Sequence, residues 1–345
     1  MEVLNKRFGL RNLLSNNAYH NYQGSIPKSE LTREKEPEFH AYVHQLATEL
    51  AANPSVLLVD EYSLEERKKD WEKLVKQSSA TLDSRSRIGH KLLDHHMPHF
   101  WNVRNPKGKS VASMMTVNDL SKAILLNTQM HSTPYVSEIR RTLVLSGGLA
   151  SVTKYRAGMA KYIVQRYSAK RVLDPCIGWG GRMIGTLASG AEYIGCDPDP
   201  NTFRGLQGIL QDINKTAQLY NSPAESILPT IETSSVDMIL TSPPYYNLEL
   251  YTAGDQSVKE NMSWETWVTN WLRPLVLECL RTLKPDGVSC WSVKNFKYPL
   301  ADVVRDIHIE KGYTCIESLT LQGPGRPGVT KPSEEQTFIY RRISE

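Results

Sequence analysis

The sequence predicts an α/β protein, with a mostly parallel sheet and crossover helices in its second part and a mainly helical region in front of it. Three observations predict this. After Gly147-Gly148, short β-branched or aliphatic runs alternate with helical patterns, the grammar of parallel strands joined by crossover helices. A glycine-rich turn follows the first of these runs, and an Asp ends the next, about 20 residues later as in nucleotide-binding βαβ units. Farther on, two consecutive prolines terminate an apolar run at the place where such sheets bind ligands.

In chain order, the first 40 residues keep no lasting period and read as an irregular arm punctuated by Gly24, Pro27 and Pro37. Phe39, Tyr42, Val43, Leu46 and Leu50 recur at helical spacing, so 38–52 reads as a helix that Asn53-Pro54 ends. Residues 63–77 form a second, with Ser63 as N-cap and Glu66 as its capping-box partner. Helices at 117–129 and 135–145 fit ordinary helical packing better than a DNA-reading helix-turn-helix. In the second part, strands are expected at 170–173, 192–196, 236–240, 287–293, 313–319 and 336–341. Helices are expected near 155–167, 181–189, 200–214, 264–283 and 300–311.

The chain has 345 residues, roughly twice a usual domain, and divides by this pattern into 1–146 and 147–345. Hydrophobic residues at 40% and charged residues at 23% exclude wholesale disorder, and no apolar run is long enough to span a bilayer. No signal peptide is read at the N-terminus. The net charge of +4 falls entirely on residues 1–150, which carry 20 Lys+Arg against 16 Asp+Glu. Within 84–118 the only acid is Asp94, against Arg85, Arg87, Lys91, Arg104, Lys107 and Lys109. That stretch suits a polyanion, and a solvated basic face accounts for it equally well. His90, His95, His96 and His99 lack cysteine partners, and a basic surface fits them better than zinc. The five cysteines are odd in number and never spaced CxxC, which fits a reduced compartment without structural zinc.

The segment Val172 to Arg182 (VLDPCIGWGGR) follows a strand and opens a helix; glycines there let a ligand approach the backbone. Asp197, after the second strand, can accept both hydroxyls of a ribose. Together they indicate an adenosine-containing ligand. The dinucleotide spacing and the phosphate loop are both missing. Asp174 places negative charge where a sulfonium and an ammonium group are welcome, which favours S-adenosylmethionine. At the end of the strand 236–240, Ser242 and the Pro243 carbonyl offer two acceptors, and Tyr245 offers a flat ring on which a planar amine can stack.

Residues 151–341 resemble the S-adenosylmethionine-dependent amino methyltransferases of nucleic acids, and especially the SPPY members typical of N4-cytosine DNA methylases. DPCIGWGGR stands for the family's D-P-F-x-G-S-G, and VDMILTSPPYYNLELY for its catalytic strand. LVLECLRTLKPDGVSCWSVKN and the closing GYTCIESLTL…SEEQTFIYRR resemble its later segments, including a final hairpin with a glutamate. The resemblance implies a Rossmann-like class I methyltransferase fold, a mostly parallel seven-stranded sheet with a closing antiparallel hairpin. It implies Ser242, Pro243, Pro244 and Tyr245 as catalytic residues. Cofactor contacts would come from Tyr155, Asp174, Cys176, Gly178, Trp179, Gly180, Asp197, Pro198, Glu225 and Ser242. Cys176 and Trp179 replace the usual Phe and Ser, and Ser222-Pro223-Ala224-Glu225 stands where an acid often holds the adenine amine. Nucleic acid would be met by Tyr246, Tyr251, Lys294, Arg326 and Lys331, with Lys107 and Lys109 from the first region. Lys294 reads better as a solvated lysine than as a phosphate contact.

The activity so implied is methyl transfer to the exocyclic amine of a flipped base in double-stranded DNA, cytosine N4 before adenine N6, leaving S-adenosylhomocysteine and using no metal. Restriction-modification is its expected setting. An RNA base amino methyltransferase and an inactive nucleic-acid-binding protein with the same fold are the alternatives. The expected location is the cytoplasm of a prokaryotic or phage-infected cell, or another intracellular site with DNA. A target-recognition region is expected in residues 1–146.

Overall fold

A computed structural model of the chain describes residues 37–80, 85–131, 136–149, 153–248, 251, 257–258, 262–322 and 334–343. Their contacts divide the chain into two units. The smaller comprises 1–61, 98–152 and 248–251, and the larger 62–97, 153–247 and 252–345.

The smaller unit contains α1 (Pro37–Ala52) and α2 (Ser55–Leu58). Its apolar core includes Val43, Leu46, Leu50, Leu57, Leu120, Ile124, Ile139 and Leu143. In the larger unit α3 (Leu64–Lys76) starts as expected: Glu66 N bonds the Ser63 hydroxyl at 3.2 Å, and Ser63 N bonds Glu66 Oε2 at 2.9 Å. It is followed by α4 (His90–His96). The core residues 120, 124, 139 and 143 lie on α5 (Val117–His131) and α6 (Val136–Ser146) of the smaller unit.

The larger unit is built on seven strands: β1 (Arg171–Asp174), β2 (Glu192–Cys196), β3 (Gln218–Tyr220), β4 (Val236–Thr241), β5 (Leu283–Val293), β6 (Tyr313–Gln322) and β7 (Glu334–Arg342). Their order is β3-β2-β1-β4-β5-β7-β6. The first five are mutually parallel, and β7 runs antiparallel to both β5 and β6. The expected α/β fold stands. The order reverses between β1 and β4, the place at whose carboxyl ends open α/β sheets bind ligands. Crossover helices α7 (Ala157–Arg166), α8 (Gly181–Ala188), α9 (Pro200–Ile213) and the short α10 (Ala224–Ile227) join or flank the first strands. After β4 come α11 (Trp264–Trp267), a π-helical turn at Val268–Leu272, α12 (Arg273–Thr282) and, after β5, α13 (Leu300–Glu310). The expected single helix at 264–283 is thus interrupted: Pro274 has no N–H to give, and the ladder loosens one turn before it.

Two differences from the sequence reading matter for the site. β3 has only three residues, one of them exposed, too few to show a period. The division expected after residue 146 does not describe the contacts, because Tyr62–Met97 belongs to the larger unit. Arg67 Nε and His96 Nε2 both meet Asp212 Oδ2 of α9 at 2.6 Å. The buried Lys161 ammonium on α7 donates to the carbonyls of Leu74 (3.0 Å), Val75 (2.7 Å) and Gln77 (2.7 Å), satisfying the end of α3. The basic stretch 84–118 is therefore divided between the units. Arg87 pairs with Asp94 at 3.0 Å and Lys91 with Glu66 at 2.9 Å, while Arg104, Lys107 and Lys109 stay exposed on the smaller unit.

Candidate active site

Parallel pairing of Val172 with Met238 and Leu173 with Ile239 sets the ends of β1 and β4 side by side. One bond locks them: Thr241 Oγ1 donates to Asp174 Oδ1 at 2.8 Å. Asp174 is fully buried and also meets Arg182 Nε at 2.7 Å, the Tyr193 hydroxyl at 2.8 Å and Cys176 N at 3.2 Å. Burial opposes charge on Arg182, but the Asp174 carboxylate outweighs it and raises its pKa above the ordinary value. The expectation that Asp174 faces a ligand's positive charge is corrected here: its charge is balanced inside the protein. Arg182 also holds the carbonyls of Cys176 and Ile177, the latter at 3.2 Å, so the pair shapes the glycine turn.

That turn needs its glycines. Gly178 and Gly180 have φ of +56° and +82°, and a Cβ on Gly178 would meet nothing within 4 Å, which leaves open space beside the backbone. A Cβ on Gly181 would fall 2.1 Å from the Tyr155 carbonyl, so α8 can sit against the entry to α7 only without one. Gly178 N donates to Asp197 Oδ2 and Asp199 N to Asp197 Oδ1, both at 3.0 Å. Burial pushes the Asp197 carboxyl up to about 7. Each oxygen keeps a lone pair for a further donor. Pro198 follows, exposed, and Asp199 caps α9 through Asn201 N at 3.1 Å.

Tyr155 carries the Arg182 guanidinium 5.3 Å from its ring centroid and bonds Thr337 Oγ1 at 3.3 Å; burial pushes its phenol up to about 12. Trp179 is buried in the turn, Cys176 is half-buried, and burial pushes the Cys176 thiol well above its ordinary range. Asn221 Nδ2 donates to the Asp197 carbonyl at 3.0 Å, which brings the exit of β3 to the same edge. Glu225 is exposed in the first turn of α10, four residues on.

At the end of β4, Ser242 and Pro244 are half-buried and Pro243 and Tyr245 buried. The Tyr245 hydroxyl donates to Glu335 Oε1 of β7 at 2.6 Å, its ring meets Phe296 edge-on at 5.6 Å, and Lys294 Nζ stands 5.9 Å from its centroid. Lys294 is thus beside the Tyr245 ring. Tyr246, expected to contact nucleic acid, is buried instead. Its φ of +52° turns the ring among Trp264 (5.6 Å), Trp267 (5.6 Å) and Tyr298 (5.1 Å), and its hydroxyl bonds the Met262 carbonyl.

Tyr251 is half-buried and belongs by its contacts to the smaller unit. In that unit Lys107 and Lys109 flank Gly108 in a turn held by Asn105 Oδ1, which accepts both lysine N–H groups at 3.0 Å. Arg326 and Lys331 lie outside the described residues. The four histidines of 90–99 have separate surroundings: His90 beside Arg156 (3.5 Å), His95 accepting Tyr62 N (3.3 Å), His96 on Asp212, and His99 in the smaller unit. No local sequence pattern marks Arg182 or Phe296. Glu335 was reachable only through the resemblance, which put a glutamate in the last hairpin.

No protein-family model matches the chain. It is similar to the type II methyltransferase M.BglII of Bacillus subtilis, 31% identical over 86 residues, which is 25% of this chain and 21% of that protein. The chain therefore matches about a fifth of that relative's length. Among solved structures, TrmN from Thermus thermophilus superposes with a TM-score of 0.37 at 16% identity, covering 54% of this chain and 49% of that one. The 1,6-didemethyltoxoflavin-N1-methyltransferase of Burkholderia thailandensis gives 0.37 at 14%, covering 54% and 77%. NSun6 from Pyrococcus horikoshii gives 0.38 at 16%, covering 54% and 51%.

Proposed function

We propose that the chain transfers a methyl group from S-adenosylmethionine to the exocyclic amine of a flipped base in DNA, cytosine N4 in preference to adenine N6. The observation that carries this reading is the Thr241–Asp174 bond. It fixes Ser242-Pro243-Pro244-Tyr245 beside the glycine turn at the point where the strand order reverses.

The residues fit the cofactor. The open space at Gly178 admits its backbone-hugging end, Trp179 and Cys176 line the methionine side, and the free lone pairs of Asp197 suit a ribose diol. Tyr155 and Pro198 flank these positions, and Glu225 is the acid available to an adenine amine. Bound there, S-adenosylmethionine supplies a sulfonium methyl group and leaves as S-adenosylhomocysteine.

Ser242 Oγ and the Pro243 carbonyl accept hydrogen bonds from the target amine, which localises a nitrogen lone pair otherwise delocalised into the base. Tyr245 receives the face of the base, and Pro244 stiffens the turn between them. Positioning and electrostatics carry the rate. A cysteine nucleophile is disfavoured, since burial raises the thiol pKa of Cys176, Cys196, Cys279 and Cys290 far from the reactive range. The serine before Pro-Pro-Tyr supports cytosine, and the likeness to a type II methyltransferase supports DNA. The smaller unit supplies the candidate target-recognition region. Within it the exposed Lys107 and Lys109 offer weak, salt-dependent phosphate contacts.

The test is transfer of label from methyl-labelled S-adenosylmethionine to duplex DNA, tRNA and ribosomal RNA. Label in DNA, lost in Pro243→Ala, is expected. Label confined to RNA would move the assignment to an RNA base amine, and no transfer to any of them would overturn it.

A further inference from the structure

Beyond the pocket for the target base, the loop after β5 is organised as a second aromatic station. Tyr298 ends a column of stacked rings: it lies 4.8 Å and 15° from Trp264, which lies 5.4 Å from Trp267, which lies 5.1 Å from Trp271. The inner rings, Trp267 and Trp271, are buried, whereas Tyr298 and Trp264 are half-exposed. Lys297 Nζ stands over the Tyr298 ring at 5.3 Å, just as Lys294 Nζ stands over Tyr245 at 5.9 Å. Phe296 sits between the two stations, edge-on to Tyr245 at 5.6 Å and to Tyr298 at 5.8 Å. The segment Lys294-Asn295-Phe296-Lys297-Tyr298 therefore alternates cations with rings.

The loop is also held in place. Asn295 Oδ1 accepts Ala301 N at 2.9 Å and its Nδ2 donates to Asp302 at 2.8 Å, so this side chain caps α13 and fixes the positions on either side of it. Phe296 N donates to the Tyr298 carbonyl at 3.1 Å.

Rings that each carry an ammonium on one face match an unpaired polynucleotide, in which every base has a π-face and every linkage a negative charge. We infer that Tyr298 and Lys297 form a stacking site for the unpaired nucleotide next to the target, with Phe296 as the wedge that separates it from the base on Tyr245. This rests on the proposed function and adds to it that the strand is unstacked over at least two nucleotides at the enzyme. As bases enter, Lys294 and Lys297 exchange the ring faces for phosphates.

The test is fluorescence anisotropy of a fluorescein-labelled single-stranded DNA oligonucleotide at several salt concentrations, with S-adenosylmethionine affinity as the control for folding. Tyr298→Ala is expected to weaken binding roughly 5- to 150-fold, while Tyr298→Phe, which keeps the π-face, stays near wild type. Lys297→Gln, at an exposed position, is expected to lower the slope of log affinity on log salt by about 0.7. Unchanged affinity in Tyr298→Ala, or an equal loss in Tyr298→Phe, would overturn the site, as would an unchanged slope in Lys297→Gln. Methyl transfer by the wild type with an unaffected Tyr298→Ala would sink this inference alone. Tyr298-dependent binding without transfer would sink the proposed function alone.

Discussion

The Tyr245 hydroxyl lies 2.6 Å from Glu335 Oε1, joining the loop that leaves β4 to the last strand of the sheet. A phenol donating to a carboxylate makes a short, charge-assisted bond with a defined ring orientation. It also enriches the ring in electron density, which favours a base whose amine becomes cationic as it accepts a methyl group. Glu335→Gln keeps an acceptor and removes the charge. It is expected to lower kcat several-fold while S-adenosylmethionine affinity holds. Tyr245→Phe removes the donor, and the two changes combined should cost no more than the larger alone, because both delete one interaction. Full additivity in steady-state kinetics would show that Glu335 acts elsewhere.

Asp174 and Arg182 form a buried ion pair at 2.7 Å, and each is also hydrogen-bonded to other groups. Breaking such a pair from one side strands a charge. Arg182→Met is therefore expected to destabilise the protein by about 3 to 5 kcal/mol in urea unfolding. Adding Asp174→Asn should restore part of the loss. A single variant as stable as wild type would contradict the buried pair.

The Asp197 carboxyl, pushed up to about 7 by burial, gives two pH effects. With the folded pKa above the unfolded one, the fold holds the proton more tightly, so this group's contribution to stability is lost as pH rises from about 4 through about 7. Ligand binding has the opposite sign. A ribose diol donates to the ionised form, so S-adenosylmethionine affinity is expected to fall by up to about tenfold per pH unit below 7, with proton release on binding near neutrality. Calorimetry in buffers of different ionisation enthalpy reads both. A flat profile between pH 8 and 6 would show that the diol does not meet Asp197.

Helices α3 and α4 belong to the larger unit, although the sequence pattern groups their residues with the first region. A chain of residues 147–345 leaves Lys161 without its three carbonyl acceptors and Asp212 without Arg67 and His96. Unpaired buried groups of this kind are costly. Such a chain is expected to show no cooperative urea transition and no S-adenosylmethionine binding, and a cooperative transition with normal binding would contradict the assignment.

What was legible in the sequence follows from how local each signal is. The Ser63–Glu66 capping box, the glycine turn and the proline-terminated β4 are written within a few consecutive residues, and the structure places each as read. That residues 62–97 join the larger unit is not legible, because no local pattern records that Asp212, well over a hundred residues on, pairs with Arg67. The burial of Tyr246 depends on a left-handed backbone at a residue type that seldom adopts it. The inward turn of Asp174 depends on Arg182, in the first turn of α8, and on Thr241 from another strand.

Methylation of the exocyclic amine is read by mass spectrometry of nucleosides from DNA of cells expressing the protein beside a Pro243→Ala control. N4-methylcytosine is expected in the first and none in the second. DNA without a methylated exocyclic amine, or an equal mark in the Pro243→Ala cells, would contradict it.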